Sequence, residues 1–330
     1  DEPTSSLDEN EVQLLFEVMR ELKADGMGII FITHFLDQVF AVSDRLTILR
    51  NGHLIGTFQA SEISKLELVT QMIGKDMDVI FNLKRAEVAD DAPYTLTASR
   101  IGAPGVISSV SLNLKKGELM GFAGLLGSGR TETAEMFFGI GHPTTGEITM
   151  DGQPVSFREP CDAIAKRIAF CPEDRKRDGI IGDLSIRENI MLAVQARKGF
   201  MHPMSHQEQS ELAEKYIKLL GIATPNAEKK VGELSGGNQQ KVVVGNWLNT
   251  DPQIMMYDEP SRGIDVNAKQ QIFQIMWDQS RKGMSSIFVS SELEELLEVC
   301  HRILVMHMGH IIGEVYPENL TIEQLYADCM

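Results

Sequence analysis

Residues 1–56 return as residues 258–313 without a gap, at a constant offset of 257 (258 − 1), and 19 of the 56 paired positions are identical. The run opens Asp1-Glu2-Pro3-Thr4-Ser5-Ser6-Leu7-Asp8 and comes back as Asp258-Glu259-Pro260-Ser261-Arg262-Gly263-Ile264-Asp265. A repeat this long exceeds a solenoid unit and reads as a duplicated domain. It restricts the chain to the tail of one domain followed by a whole second copy. The first copy starts at its acidic motif, so an N-terminally truncated chain is expected.

At 330 residues, 43% of them hydrophobic, the chain can build more than one core. A net charge of −16 argues against nucleic acid as the principal partner. Cys161, Cys171, Cys300 and Cys329 lack C-x-x-C spacing and no signal peptide is in view, which reads as reduced thiols in a cytoplasmic protein. No apolar run approaches the length of a membrane span.

Along the chain, Asp8 and Glu11 form a capping-box pattern ahead of a helix to about Lys23, which Gly26 helps to end. Ile29-Ile30-Phe31-Ile32 reads as a buried strand of parallel type, followed by helical spacing from Phe35 to Val42. Leu46–Leu49 and His53–Ile55 around Asn51-Gly52 read as a hairpin. The expected division is a first domain over 1–81, a polar linker over 82–93 and a second domain over 94–330. In the second, a strand over Leu119–Ala123 leads through a Gly-rich loop into a helix. Capping boxes at Ser185-x-x-Glu188 and Ser205-x-x-Glu208 bracket a helical insert over about 185–248.

Three motifs carry chemistry. Gly124-Leu-Leu-Gly127-Ser128-Gly129-Arg130-Thr131 fits the phosphate-cradling loop G-x4-G-K-[ST], with arginine in the lysine position. Its glycines let backbone N–H groups point inward, and the following helix N-terminus favours an anion. Thr131 would offer its hydroxyl to Mg2+, whereas the planar Arg130 would not reproduce a lysine's point contact with terminal phosphates. A tight turn without a ligand is the competing reading of this loop taken alone. Ile254-Met255-Met256-Tyr257-Asp258-Glu259 is an apolar strand ending in two acids; in phosphate-loop ATPases the first such acid holds Mg2+ through water and the second orients or deprotonates the attacking water. A plain strand end with surface acids is its alternative. Leu234-Ser235-Gly236-Gly237-Asn238-Gln239-Gln240-Lys241 is the most specific signal, a second glycine-opened helix N-terminus.

Loop, signature and acids together resemble the ATP-binding cassette (ABC) ATPases. The implied fold is α/β, a P-loop NTPase nucleotide-binding domain with a mixed β-sheet core and an α-helical subdomain, preceded by a partial copy of itself. Phe170-Cys-Pro-Glu-Asp-Arg-Lys176 and Val289-Ser-Ser-Glu-Leu293 look like the two-domain ATPases that drive bacterial sugar importers of the ribose and galactose type. Thr33-His-Phe-Leu-Asp-Gln-Val39 and the loop Ala123–Glu135 look closest to the galactofuranose branch. The resemblance implies ATP and Mg2+ as ligands. It implies nucleotide contacts from Gly124, Gly127, Ser128, Gly129, Arg130, Thr131 and Glu132, and from Ser235, Gly236, Gly237 and Gln239. It implies metal contacts from Thr131, Asp258, Glu173 and Asp1, and catalytic roles for Glu2, His34 and Glu259. The implied partners are membrane permease subunits and, indirectly, a periplasmic sugar-binding protein, with the subunit on the cytoplasmic face of the inner membrane.

Copy two departs from that pattern in one direction. The offset sets Ser291 opposite the switch histidine His34, Arg130 replaces lysine, and Glu173 stands where a glutamine is usual. No aromatic residue lies between Thr95 and Gly121 to stack on adenine, and Phe122 reads as core. The expectation is one hydrolytic site, combining a phosphate loop of copy one that the chain lacks, Asp1, Glu2 and His34 with Ser235-Gly236-Gly237, and one weak, mostly structural site. With one phosphate loop and one signature, residues 1–330 are expected to show negligible turnover. A soluble, non-transport ABC ATPase and a non-hydrolysing nucleotide-binding module remain the alternatives. Arg175-Lys176-Arg177 reads either as a solvated loop or as a grip on the permease.

Overall fold

A computed structural model describes residues 3–4, 9–33, 36–50, 52–73, 85, 87–199 and 202–329. Asp1, Glu2, Asp8 and His34 lie outside the described residues, so their assigned roles have no structural counterpart here. The chain divides into two compact units, Asp1–Leu83 with Asp265–Asn267, and Lys84–Ile264 with Ala268–Met330.

Unit 1 contains α1 (Glu9–Ala24), α2 (Leu36–Val42), the hairpin β1 (Arg45–Arg50) and β2 (His53–Gln59), and α3 (Lys65–Ile73). Gly26 takes φ 85° and ends α1 in the left-handed manner, with its N–H and that of Met27 donating back to Lys23 and Leu22. Leu46, Ile48, Ile63 and Leu68 form a small buried cluster, with Phe40 and Phe58 packed on it. The expected strand at 29–32 is absent: these residues have no regular structure, and Ile30 is 90% exposed. A strand of this type needs a neighbour to take its N–H and C=O groups. Among the described residues of unit 1, β1 and β2 pair only with each other.

Unit 2 is built on one ten-stranded sheet. Its strands are β3 (Tyr94–Ala103), β4 (Ile107–Lys115), β5 (Leu119–Ala123), β6 (Thr145–Met150), β7 (Gln153–Val155), β8 (Ile168–Cys171), β9 (Ile254–Asp258), β10 (Ser285–Val289), β11 (Arg302–His307) and β12 (His310–Val315). The order across the sheet is β7-β6-β3-β4-β12-β11-β5-β10-β9-β8. Strands β11, β5, β10, β9 and β8 run parallel, while β3, β4, β6 and β7 form an antiparallel wing. Every residue of β5, β8, β9 and β10 is buried, which explains their unbroken apolar runs.

Helices cover this sheet: α4 (Arg130–Phe138) after β5, α5 (Pro160–Ala165) before β8, α9 (Val266–Arg281) and α10 (Leu293–Val299) around β10, and α11 (Ile322–Cys329) at the end. Between β8 and β9 lie α6 (Ile186–Lys198), α7 (His206–Leu220) and α8 (Gly236–Leu248). Ser185 and Ser205 each accept from the N3 backbone while Glu188 and Glu208 return the bond, so both capping boxes form. Parallel β5, β8, β9 and β10 deliver four loops to one carboxyl edge, where open α/β sheets place their ligands.

Candidate functional site

At that edge the loop after β5 is shaped by glycine. Gly124 has φ 153°, and a Cβ there would stand 2.4 Å from the Met306 carbonyl and 2.5 Å from Ser128 Oγ. Gly127 (φ 79°) and Gly129 (φ 98°) follow, so the chain can wrap ahead of α4. The Gly309 N–H donates to the Ser128 carbonyl at 2.9 Å, pinning the loop to the β11–β12 turn. Ser128 Oγ is buried and has no protein partner. A left-handed glycine nest, a nine-residue helix N-terminus and an unanswered hydroxyl together fit a phosphate.

The candidate metal position lies at the end of β9. Thr131 Oγ1 donates to Asp258 Oδ1 at 3.2 Å, whereas Asp258 Oδ2 is buried with no partner. Burial pushes the Asp258 carboxyl up to about 7; the Thr131 hydroxyl opposes the shift, and Glu259, Glu173 and Glu135 reinforce it by repulsion. A buried carboxyl oxygen without a partner, with the Thr131 hydroxyl on the other oxygen, fits Mg2+. Glu173 would join it only by leaving the Arg262 guanidinium, with which it is paired.

Glu259 is held in an unusual backbone, φ 44°, with its N–H on the Val289 carbonyl at 3.0 Å. Its carboxyl is raised above the ordinary range by burial, and Ser291 and Arg130 moderate the shift. Ser291, opposite His34 in the repeat, donates to Glu259 Oε2 at 3.1 Å. Arg130 is buried: one terminal nitrogen donates to the Ser290 carbonyl at 2.7 Å, the other stands 4.0 Å from Glu259 Oε1. The arginine is therefore occupied by β9 and β10 loop groups, which a flexible lysine ammonium need not be. Glu132 lies in the first turn of α4 and is half-buried.

The signature forms the N-terminus of α8. Ser235 is its N-cap but caps nothing with its side chain; Asn238 Nδ2 donates to Ser235 Oγ at 2.9 Å. A Cβ on Gly236 would meet the Arg175 guanidinium at 2.7 Å and the Gly263 carbonyl at 2.8 Å, so the signature abuts the segment after Glu259. Gly237 follows, buried. Two sequence readings change here. Gln239 is 5% exposed and its amide donates inward to the Leu234 carbonyl at 3.0 Å, so it braces the turn before α8 rather than facing a ligand. Arg175 is no solvated loop residue. It lies in a single π-helical turn, Arg175–Gly179, and donates to the Arg262 carbonyl at 2.6 Å and the Gly263 carbonyl at 3.1 Å.

Sequence reasoning passed over Arg175 as a tether and Glu295 altogether. The trace Glu295 left was the offset itself, which sets Glu295 opposite Gln38 and Ser261 opposite Thr4.

Residues 107–262 match the family model described as ABC transporter. Among solved structures, a dimeric ATP-binding cassette in a post-hydrolysis state with ADP and Pi aligns at TM-score 0.60 and 22% identity, covering 68% of this chain and all of its own. Unit 2 therefore has the fold of an ATP-binding cassette of the P-loop NTPase class, with the family match lying within it. The relatives narrow this further. The chain is 46% identical over 324 residues to the galactofuranose transporter ATP-binding protein YtfR of Escherichia coli. It is 41% identical to the fructose import ATP-binding protein FruK of Bifidobacterium longum and 37% to the arabinose import ATP-binding protein AraG of Pectobacterium atrosepticum. Each alignment takes in at least 98% of this chain, which spans 64–65% of the length of those relatives.

Proposed function

We propose that the chain belongs to the ATP-binding motor subunit of a carbohydrate ABC importer, coupling ATP binding and hydrolysis to sugar passage through a membrane permease. The carrying observation is similarity along almost the whole chain to subunits named for sugar import, at 37–46% identity. The galactofuranose branch is favoured by the 46% figure. Permease subunits and a periplasmic binding protein are the partners this reading requires. Among the described residues no helix is long and apolar enough to cross a membrane, which suits a subunit docked peripherally on the cytoplasmic side.

In this reading the Gly124–Gly129 nest and the α4 N-terminus hold the phosphates, and Thr131 and Asp258 hold Mg2+. The cation supplies charge neutralisation on phosphate oxygens. Glu259, its carboxyl pKa raised by burial, accepts a proton from water more readily than an ordinary glutamate. Ser235-Gly236-Gly237 presents helix N–H groups to a nucleotide held by another cassette. Unit 1 is read as the end of a first cassette, whose metal and base acids would be Asp1 and Glu2 and whose switch histidine would be His34. The two sites are unequal, since Ser291 is a weaker contact than histidine and Arg130 is already engaged.

The test is sugar uptake in cells carrying single substitutions, with the subunit recovered from solubilised membranes. His34→Ala should abolish uptake, while Ser291→Ala should keep most of it. Equal losses would defeat the asymmetry, and failure to recover a permease would defeat the importer reading. A second reading, a nucleotide-binding module without turnover, is favoured for residues 1–330 expressed alone because they hold one phosphate loop and one signature. Vigorous hydrolysis by that chain would exclude it.

A further inference from the structure

Behind the catalytic acids lies a buried polar cluster that the site chemistry leaves unused. Glu295 on α10 is 2% exposed. Its Oε2 accepts from Ser261 Oγ and from Ser290 Oγ, each at 2.7 Å. Lys269 Nζ on α9 ion-pairs Glu295 Oε1 at 2.7 Å and Glu292 Oε2 at 2.6 Å. Ser290 Oγ in turn accepts the Glu292 N–H at 3.1 Å. One carboxylate thus joins the segment after Glu259 to the segment after β10. Those segments supply the Ser290 carbonyl that anchors Arg130 and the Ser291 hydroxyl that reaches Glu259.

Unit 1 repeats the contact in a different chemistry. Thr4, 4% exposed, donates from Oγ1 to Gln38 Oε1 at 2.6 Å. Adding 257 to each number gives Ser261 and Glu295, and Val12 stands opposite Lys269. Unit 1 closes this clasp with a neutral amide and carries a buried valine at the lysine's position, whereas unit 2 closes it with a carboxylate and an ammonium.

We propose that Glu295 is a positioning residue, acting through Ser261 and Ser290 to fix Glu259, Ser291 and Arg130 at the phosphate edge. Lys269 is the partner its charge requires, because a buried carboxylate without a counter-charge would not remain ionised. The inference concerns the nucleotide site proposed above and rests on that reading for its consequence, but the clasp itself is readable without nucleotide.

The experiment compares the wild-type chain with Glu295→Ala, Glu295→Gln and the double variant Lys269→Val/Glu295→Gln, which installs the unit 1 pair. The first readout is amide hydrogen exchange without nucleotide over residues 259–264 and 289–293. Glu295→Ala should speed exchange there by about tenfold or more, with α6 and α7 unchanged, and the double variant should return to near wild type. The second readout is ATP affinity by calorimetry. Glu295→Ala should weaken it by about fivefold or more and the double variant should recover most of the loss. Unchanged exchange in Glu295→Ala, or a double variant no better than Glu295→Gln alone, overturns the proposal. If Glu295→Ala fails to fold, the comparison of Glu295→Gln with the double variant decides it. A wild-type chain that binds no ATP defeats the nucleotide-site reading, while the exchange data still judge the clasp.

Discussion

Ile30 and Ile287 are the same residue at equivalent places in the repeat, yet Ile30 is 90% exposed and Ile287 is wholly buried. Around them the two copies agree closely. Helices α1 and α2 occupy the same offset positions as α9 and α10, and β1 the same as β11. Both hairpins carry a register shift at one place, Ile48/Leu49 and Val305/Met306. Even an aromatic pair recurs, Phe16–Phe31 at 6.2 Å and Phe273–Phe288 at 5.9 Å, both edge-on. Helices, hairpins and helix-to-segment packing are written locally and repeat with the sequence. The strand does not, because β10 exists by virtue of β5 and β9 on its two sides.

The sharpest way to break that comparison is to place a charge at both positions. Ile287→Asp removes a buried side chain and leaves a carboxyl inside the sheet, so unit 2 should lose more than about 4 kcal/mol and fail to fold cooperatively. Ile30→Asp should stay within about 0.5 kcal/mol of the parent. Urea unfolding followed by circular dichroism distinguishes them. Comparable losses would mean that residues 29–32 are buried in solution.

The same contrast explains what could be read from the sequence. The strand–loop–helix at 119–138, the Ser185 and Ser205 capping boxes and the hairpin around Asn51-Gly52 were legible because glycine placement, Ser-x-x-Glu spacing and short apolar runs flanking a turn are local signals. Ile29–Ile32 was misjudged because an apolar run does not say whether neighbours are present. Arg175 and Gln239 were misjudged for a related reason. A guanidinium beside other basic residues reads as solvated, and a glutamine beside a signature reads as a contact. Only the fold shows that one reaches the Gly263 carbonyl and the other folds back on Leu234.

The aromatic pair gives the next largest effect. Phe273 is fully buried between α9 and β10, and Phe273→Ala should cost about 3–5 kcal/mol in unit 2. Phe16 is 1% exposed but packs on a half-buried Phe31, so Phe16→Ala should fall at the lower end of that range or below it. Calorimetric scans of both variants supply the comparison. A larger loss from Phe16→Ala would show that unit 1 relies on this pair more than unit 2 does.

Charge separates the units again. Among the described residues, unit 1 buries no carboxyl, whereas unit 2 buries Asp258, Glu295 and Glu118. Asp258 binds its proton more tightly folded, at about 7, than at its ordinary 3.8. Its contribution therefore destabilises the ligand-free protein increasingly as pH rises between those values, and the penalty is complete above pH 7. Without Mg2+ or nucleotide, Asp258→Asn should raise stability at pH 8 by up to about 4 kcal/mol, with the gain shrinking toward pH 4. Thermal melts across that range, made in chelator, would show the two curves converging in acid. Parallel curves would mean that another group carries the pH dependence.

The smallest effect lies at the last described helix of each unit. Ser64 and Glu67 cap α3, with the Ser64 N–H donating to Glu67 Oε2 at 2.9 Å. At the same offset Thr321 and Gln324 cap α11, with the Thr321 N–H donating to Gln324 Oε1 at 2.9 Å. Backbone and hydroxyl donors of Ser64 hold the Glu67 carboxyl below its ordinary 4.5. Its capping bond is therefore present above that value and lost as pH falls through the lowered one, whereas the Gln324 amide has no proton to gain. Corrected for intrinsic rates, amide exchange at Ser64 should lose protection in acid while Thr321 keeps its own. Glu67→Gln should make the two caps behave alike, and a Thr321 amide that loses protection in step with Ser64 would show that the helices fray for a reason other than the cap.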